Sequence, residues 1–473
     1  MKRRSFIKTS GVFMLTAPFS IGSEKKPTDV RIREISFNTE DFAFRVPLKF
    51  GSAVVQMLTI IHVSAVLESR SGKRGTGYGS MPVGNAWAWP SRKLAPAKTH
   101  QIMIEFGKRF ADQARICSDY GDPFELSARL GKNRIPIAKA LADEFSLSES
   151  IPALAQLNMG SPLEAALFDA YGKLHQRNIF SLLGPEFMNA DLSAYLNSDF
   201  SGEYPCQYTT RKPADRLPLY HLVGGLDPLS DSDLTHPVKD GLPETLRDWI
   251  QKEGLTHLKI KLMGHDLQKD LDRMIAVEKA VSEVQHKRGI DRWYYSVDFN
   301  EKCPSEEYVL DWISKIGERS PNARKSLMYI EQPTQRDLNA RPIIKMNRAA
   351  ELCPIVIDES LTSFKELQKS RELGYSGVAL KACKGFAEAL LMGAAAQKYK
   401  LFLCVQDLTC PGDSFLQSAA IAAHLPAAAA VEGNARQFCP KGNALWAKRF
   451  PGMFSITDGT VRTADLIGNG IGY

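Results

Sequence analysis

Residues 256–264 read THLKIKLMG, with two lysines two apart in an apolar run. In a strand alternate side chains share a face, so Lys259 and Lys261 point one way and Leu258, Ile260 and Leu262 the other. Charged residues close later apolar runs as well: Asp298 in YYSVDFN, Glu331 in LMYIEQP, Asp358 and Glu359 in PIVIDES, and Lys381 in GVALKACKG. From Lys261 through Asp298, Glu331 and Asp358 to Lys381 the steps are 37, 33, 27 and 23 residues. A βα barrel of about 250 residues repeats roughly every 31, and its active site lies at the C-terminal strand ends. One charged group per unit at that face is what the spacing describes.

Three carboxylates on successive strands repel, and burying them is costly unless a cation lies among them. Asp298, Glu331 and Asp358 therefore imply a divalent metal. Oxygen donors without a nearby His or Cys favour Mg²⁺, with Mn²⁺ as the alternative. Strand alternation turns Glu359 away from that ion, toward a supporting role such as pairing a lysine, and Asn300 is assigned a supporting role too. Lys261 and Lys381 fall on opposite sides of the barrel mouth. Desolvation and neighbouring cations lower an ammonium pKa toward the range of a general base. One lysine can then remove a proton from one face of a carbon acid while the other returns it to the opposite face. Lys259 is expected to hold a substrate carboxylate or to tune Lys261.

The elements that must position these groups are legible around them. The chain has 473 residues, 44% hydrophobic and 24% charged, which implies two or three domains. Its net charge of +7 is spread along the chain without a basic run interleaved with aromatics, which argues against a nucleic-acid groove. VRIREISFNT and VQMLTIIHVSAVLES read as strands, and SGKRGTGYGS as a Gly-rich turn, in a meander of about three strands. Residues 96–185 read as helical, with Ser161 capping a helix and Glu164 three residues on. Together they form an α+β domain over 28–185, followed by an insertion or linker at 186–216. From 217 to 435, eight β-like runs alternate with amphipathic stretches, which predicts parallel βα units closed as a barrel of the TIM type, with a doubly wound open sheet as the alternative. Residues 436–473 are expected to pack on the N-terminal domain.

The N-terminus, MKRRSFIKTSGVFMLTAPFSIG, is too short and polar for a stable membrane span. Its Arg3-Arg4 pair followed by Phe6 and Lys8 resembles a twin-arginine translocation signal. That resemblance implies a signal segment over 1–27 and export of a folded enzyme to a bacterial periplasm, with no stable membrane insertion after cleavage. The eight cysteines include no C-x-x-C pair. Cys353, Cys383 and Cys404 read as small core residues, while disulfides among Cys206, Cys303, Cys410 and Cys439 stay open.

The strand motifs K-I-K, V-D-F-N, I-E-Q-P, I-D-E-S and L-K-A-C-K-G resemble the enolase superfamily. The likeness is closest to the muconate lactonizing and dipeptide epimerase subgroup of its mandelate racemase/muconate lactonizing family. AALFDAYGKLHQRNIFSLLG is similar to the segment closing that family's capping domain, and FRVPLKFGSA and TGYGSMP to its substrate-facing loops. The resemblance implies an α/β fold: a modified TIM barrel, (β/α)7β, with an N-terminal α+β capping domain. It implies Asp298, Glu331 and Asp358 as Mg²⁺ ligands, Lys261 and Lys381 as an acid/base pair, and abstraction of a proton α to a carboxylate. Two departures stand out. LFLCVQDLT lacks the His of a His–Asp dyad and offers Asp407 at the strand end, and E-G-N stands where dipeptide epimerases carry D-x-D, leaving Glu432 as a contact for a substrate amino group. The implied activity is that of a racemase or epimerase acting on a small-molecule carboxylate, in a homo-oligomer. A cycloisomerase or a syn-dehydratase of sugar acids is the near alternative, and a non-catalytic periplasmic binding protein the alternative of another class.

Overall fold

The computed structural model describes residues 26–50 and 53–473. Residues 1–25, which hold the twin-arginine motif, lie outside the described residues. The N-terminal half opens with an antiparallel meander of β1 (Val30–Phe50), β2 (Ala53–Ser69) and β3 (Arg74–Pro82). The Gly-rich stretch is therefore mostly strand, with only its first residues in the turn. Gly75, Gly77 and Gly79 alternate onto one face of β3, where a Cβ would stand 2.1 to 2.6 Å from atoms of the helix Ala153–His175. Close approach of strand and helix, rather than turning, is what these glycines serve.

That helix starts eight residues before Ser161. Ser161 is interior and its hydroxyl donates to Asn158 O at 2.8 Å, so the expected cap is not made there. Glu164 pairs instead with Arg134 and accepts from the backbone N–H of Ala387 at 3.3 Å, which ties the helix to the second half of the chain.

The second half is a closed barrel of eight parallel strands. They are β4 (Leu217–Val223), β5 (His257–Lys261), β6 (Tyr294–Asp298), β7 (Leu327–Glu331), β8 (Ile355–Ile357), β9 (Gly377–Lys381), β10 (Phe402–Gln406) and β11 (Val431–Glu432). They pair in chain order, and Val431 of β11 pairs Leu219 of β4 to close the ring, which excludes the open doubly wound sheet. A short β12 (Thr460–Val461) runs antiparallel beside β4. Amphipathic helices such as Leu246–Glu253 and Glu306–Arg319 cover the outside, each capped by a hydroxyl (Thr245, Ser305) that accepts from a first-turn N–H. The interior is filled by Tyr220, Tyr329, Val356, Ala379, Cys404 and Ala430, a packed floor drawn from six stretches of the barrel. All eight cysteines are free thiols. Among the described residues no helix is long and apolar enough to cross a membrane.

Candidate active site

Strand register assembles the charged groups. Lys261 of β5 lies opposite Asp298 of β6, and Asp298 opposite Glu331 of β7, so three neighbouring strands end at one level with a charged group each. Asp358 follows β8 by one residue, and Lys381 ends β9. Alternation places Lys259 one pleat below Lys261, on the same inward face, just above the aromatic floor.

Lys259 is the centre of the cluster. Its ammonium donates to Glu331 Oε1 at 2.8 Å and Glu432 Oε2 at 3.2 Å, and stands 3.7 Å from Asp298 Oδ2. Burial disfavours that charge, yet Glu331, Glu432 and Asp298 outweigh it and hold the pKa well above that of a free lysine. Lys261 pairs with Asp298 and is the more accessible of the two lysines. Asp298 also accepts from the backbone N–H of Asn300 at 2.8 Å.

Across the mouth, Asp358 binds two ammonium groups. Lys381 reaches its Oδ2 at 2.8 Å and Lys384 its Oδ1 at 3.0 Å, with Lys384 also donating to the Asp358 carbonyl at 2.6 Å. A 3₁₀ turn (Ala382–Lys384) follows β9 directly, and its three-residue period brings Lys381 and Lys384 to the same side. Trp87, from the N-terminal domain, covers both: its ring lies 4.7 Å from Lys381 Nζ and its N–H donates to Glu359 Oε1 at 3.1 Å. Arg336 pins that tryptophan by donating to its carbonyl at 3.0 Å while forking onto Glu301. Gln332, with φ of +31°, accepts from Asp358 N at 2.9 Å and donates to Ser360 Oγ at 2.9 Å, which fixes the turn after β8.

The structure brings Lys261, Lys381, Asp298, Glu331 and Asp358 to one mouth, and it revises the roles expected of the others. Lys259 is 1% exposed and saturated by carboxylates, so it neutralises the cluster from within instead of meeting a substrate. Glu432 is buried and accepts from Lys259 through Oε2 and from Asn434 Nδ2 through Oε1, so within the fold it is engaged by a lysine and a neighbouring amide. Asp407 accepts from the N–H groups of Thr409, Cys410 and Asn434, so it stitches two loops together; burial beside Glu432 pushes it up to about 7. Glu359 bonds Trp87 rather than a lysine, and burial followed by Asp358 raises its pKa well above the carboxylate range. The lowered lysine pKa expected at the mouth is reversed for Lys381: burial acts most strongly against its charge, but Asp358, Glu331 and Glu432 together outweigh it and raise the pKa. Trp87, Arg336, Gln332 and Lys384 were not singled out from the sequence. Lys384 alone had a legible signal, its three-residue offset from Lys381; the others become relevant only through long-range packing.

Each of the three expected ligand carboxylates is turned to an ammonium group, and among the described residues no three His, Cys, Asp or Glu side chains are grouped as a metal-coordinating set. The donor chemistry nevertheless fits a divalent cation. Asp298, Glu331 and Asp358 are buried oxygen donors on or just after three neighbouring strands, with no His or Cys ligand among them. Burial, aided by repulsion from Asp298 and Asp358 and opposed by Lys259, pushes Glu331 up to about 7. A cation among these oxygens relieves that strain.

Residues 241–473 match the family described as enolase C-terminal domain-like. Solved structures resemble nearly the whole chain. A mandelate racemase/muconate lactonizing protein from Herpetosiphon aurantiacus is 18% identical, with 94% of this chain and 98% of that one aligned at a TM-score of 0.58. A muconate lactonizing enzyme from Pseudomonas fluorescens, complexed with muconolactone, is 19% identical over 93% and 96% of the two chains at 0.57. A dipeptide epimerase from Enterococcus faecalis, complexed with Mg and the dipeptide L-Leu-L-Tyr, is 15% identical over 93% and 99% at 0.58. At these identities the likeness is one of fold. A comparison with curated protein sequences finds no match.

Proposed function

We propose that this chain, whose residues 241–473 match the enolase C-terminal domain-like family, is an isomerase that removes and returns the proton α to a substrate carboxylate, as a racemase or epimerase. The observation that carries the reading is the placement of Lys261 and Lys381 at the ends of β5 and β9, with Asp298, Glu331 and Asp358 on or just after the three strands between them.

Asp298, Glu331 and Asp358 would hold Mg²⁺, or Mn²⁺ in its place. When bound, the ion supplies positive charge beside the substrate carboxylate as the α-proton leaves. Lys261, the more accessible lysine, accepts that proton at Nζ once its own extra proton has passed to solvent. Lys381, the ammonium beside Asp358, delivers a proton from the opposite face. Trp87 keeps water from Lys381, and Lys259 keeps the carboxylates from forcing one another apart. Export by the twin-arginine route, a periplasmic site of action and a homo-oligomeric state belong to the same reading.

The test is ¹H NMR of the purified protein with Mg²⁺ in D₂O, against pools of dipeptides, N-acyl amino acids and sugar acids. Exchange of an α-proton, lost in both Lys261→Ala and Lys381→Ala, supports the reading. Loss of a β-substituent moves the assignment to dehydration or cycloisomerisation, and no reaction in any pool removes its support.

A further inference from the structure

Beside Lys261 a cavity of about 750 Å³ opens between the two halves of the chain. The N-terminal domain contributes Lys49, at the end of β1, and Arg92; the barrel contributes Lys261, His265 and Lys302. Among the described residues the side chains of Lys49, Arg92 and Lys302 form no ion pair and no hydrogen bond, whereas nearly every other cation near the mouth has an acid. The one carboxylate in the wall, Asp270, is already spent inside the fold: it accepts from Met263 N at 2.6 Å, Gly264 N at 2.8 Å and Tyr308 OH at 2.6 Å. A cleft walled by one sign of charge concentrates ligands of the other. Arg92 adds a planar fork suited to carboxylate or phosphate oxygens.

We infer that the substrate carries a second anionic group, a carboxylate or a phosphate, remote from the carbon that reacts, and that Lys49, Arg92 and Lys302 receive it. This rests on the function proposed above, since it places the reacting carbon at Lys261 and the distal anion further out. The cavity is of the size that encloses a whole small-molecule ligand, so the two anions can lie in one pocket. The distal contacts orient the substrate without touching the reacting atoms.

Matched probes test it by calorimetric titration of the full chain with Mg²⁺ at low ionic strength. An N-succinyl amino acid is compared with its N-butyryl analogue, and 6-phosphogluconate with gluconate. At least one anionic probe is expected to bind ten-fold or more tightly than its neutral partner, with the advantage shrinking as salt is added. The pair that discriminates tells carboxylate from phosphate. An Arg92→Gln/Lys302→Gln double variant is expected to bring the ratio near one, while Lys279→Gln, which removes an exposed charge elsewhere, is expected to keep it. Equal binding within both pairs, or an unchanged ratio in the double variant, overturns the inference. The proposed reaction fails separately, by an absence of α-proton exchange under conditions where the probes bind.

Discussion

Replacing Lys259 by Met removes the cation at the centre of the cluster and keeps most of its volume. At an effective dielectric constant near 20, its attraction to a full negative charge is about 6 kcal/mol at the 2.8 Å of Glu331 and about 5 at the 3.2 Å of Glu432. Those gross values do not become the loss, because desolvating an ammonium costs several kcal/mol and a stranded carboxylate can take up a proton. At pH 7 that proton costs a carboxyl of ordinary acidity about 3.7 kcal/mol, at 1.36 per pH unit over roughly 2.7 units. At pH 5 it costs about 1. Glu331 is already pushed up to about 7 with Lys259 in place and has little more to lose, so the loss comes mainly from Glu432 and Asp298: Lys259→Met is expected to lower unfolding stability by about 2 to 4 kcal/mol at pH 7 and by about 1 at pH 5. Chemical unfolding of both proteins in EDTA, followed by circular dichroism at each pH, measures it. Added Mg²⁺ is expected to recover part of the loss at pH 7, since it offers the stranded carboxylates another cation. Equal losses at the two pH values would assign the effect to packing, and no loss at pH 7 would refute the charge argument altogether.

Three other outcomes can be checked on purified variants. Gly77→Ala puts a methyl 2.1 Å from the backbone of Ala170, so the β3–helix contact must open; a loss above about 3 kcal/mol is expected, and a soluble variant with wild-type thermal stability would show that the helix can shift freely. Trp87→Phe keeps a ring over Lys381 but strips Glu359 of its N–H donor, for an expected loss of about 1 to 3 kcal/mol in denaturant unfolding; an unchanged midpoint would make that hydrogen bond energetically idle. His424 is buried against Phe180 and hydrogen-bonds the Thr210 carbonyl, and burial lowers its pKa to about 4. Between pH 6.5 and 4 the unfolded chain binds a proton that the folded chain refuses, so stability present above 6.5 is lost as pH falls toward 4, by up to about 3 kcal/mol. His424→Phe should flatten that part of the stability profile, and an identical profile would count against the assignment.

The barrel was legible because its signal is local and repeated. Each β-like run from LPLYHLV to VE became a strand, since apolar runs of this length between amphipathic helices have few other ways to bury themselves. The charged strand ends were legible for the same reason: a two-residue period puts Lys259 and Lys261 on one face, and the spacing of Asp298, Glu331, Asp358 and Lys381 follows the βα repeat. What a period cannot say is how far each group stands from its neighbours. Tertiary structure decided that Lys259 is enclosed by carboxylates while Lys261 faces a cavity, because one lies a pleat deeper than the other. It decided that Asp407 and Glu432 serve loops and a lysine, through backbone N–H groups and side chains brought in from elsewhere in the chain. The glycines of β3 read as a turn because their purpose, a helix pressed against one face, lies some 90 residues away. Trp87 and Lys49 come to the barrel mouth from the other half of the molecule, and no spacing within either half encodes that meeting.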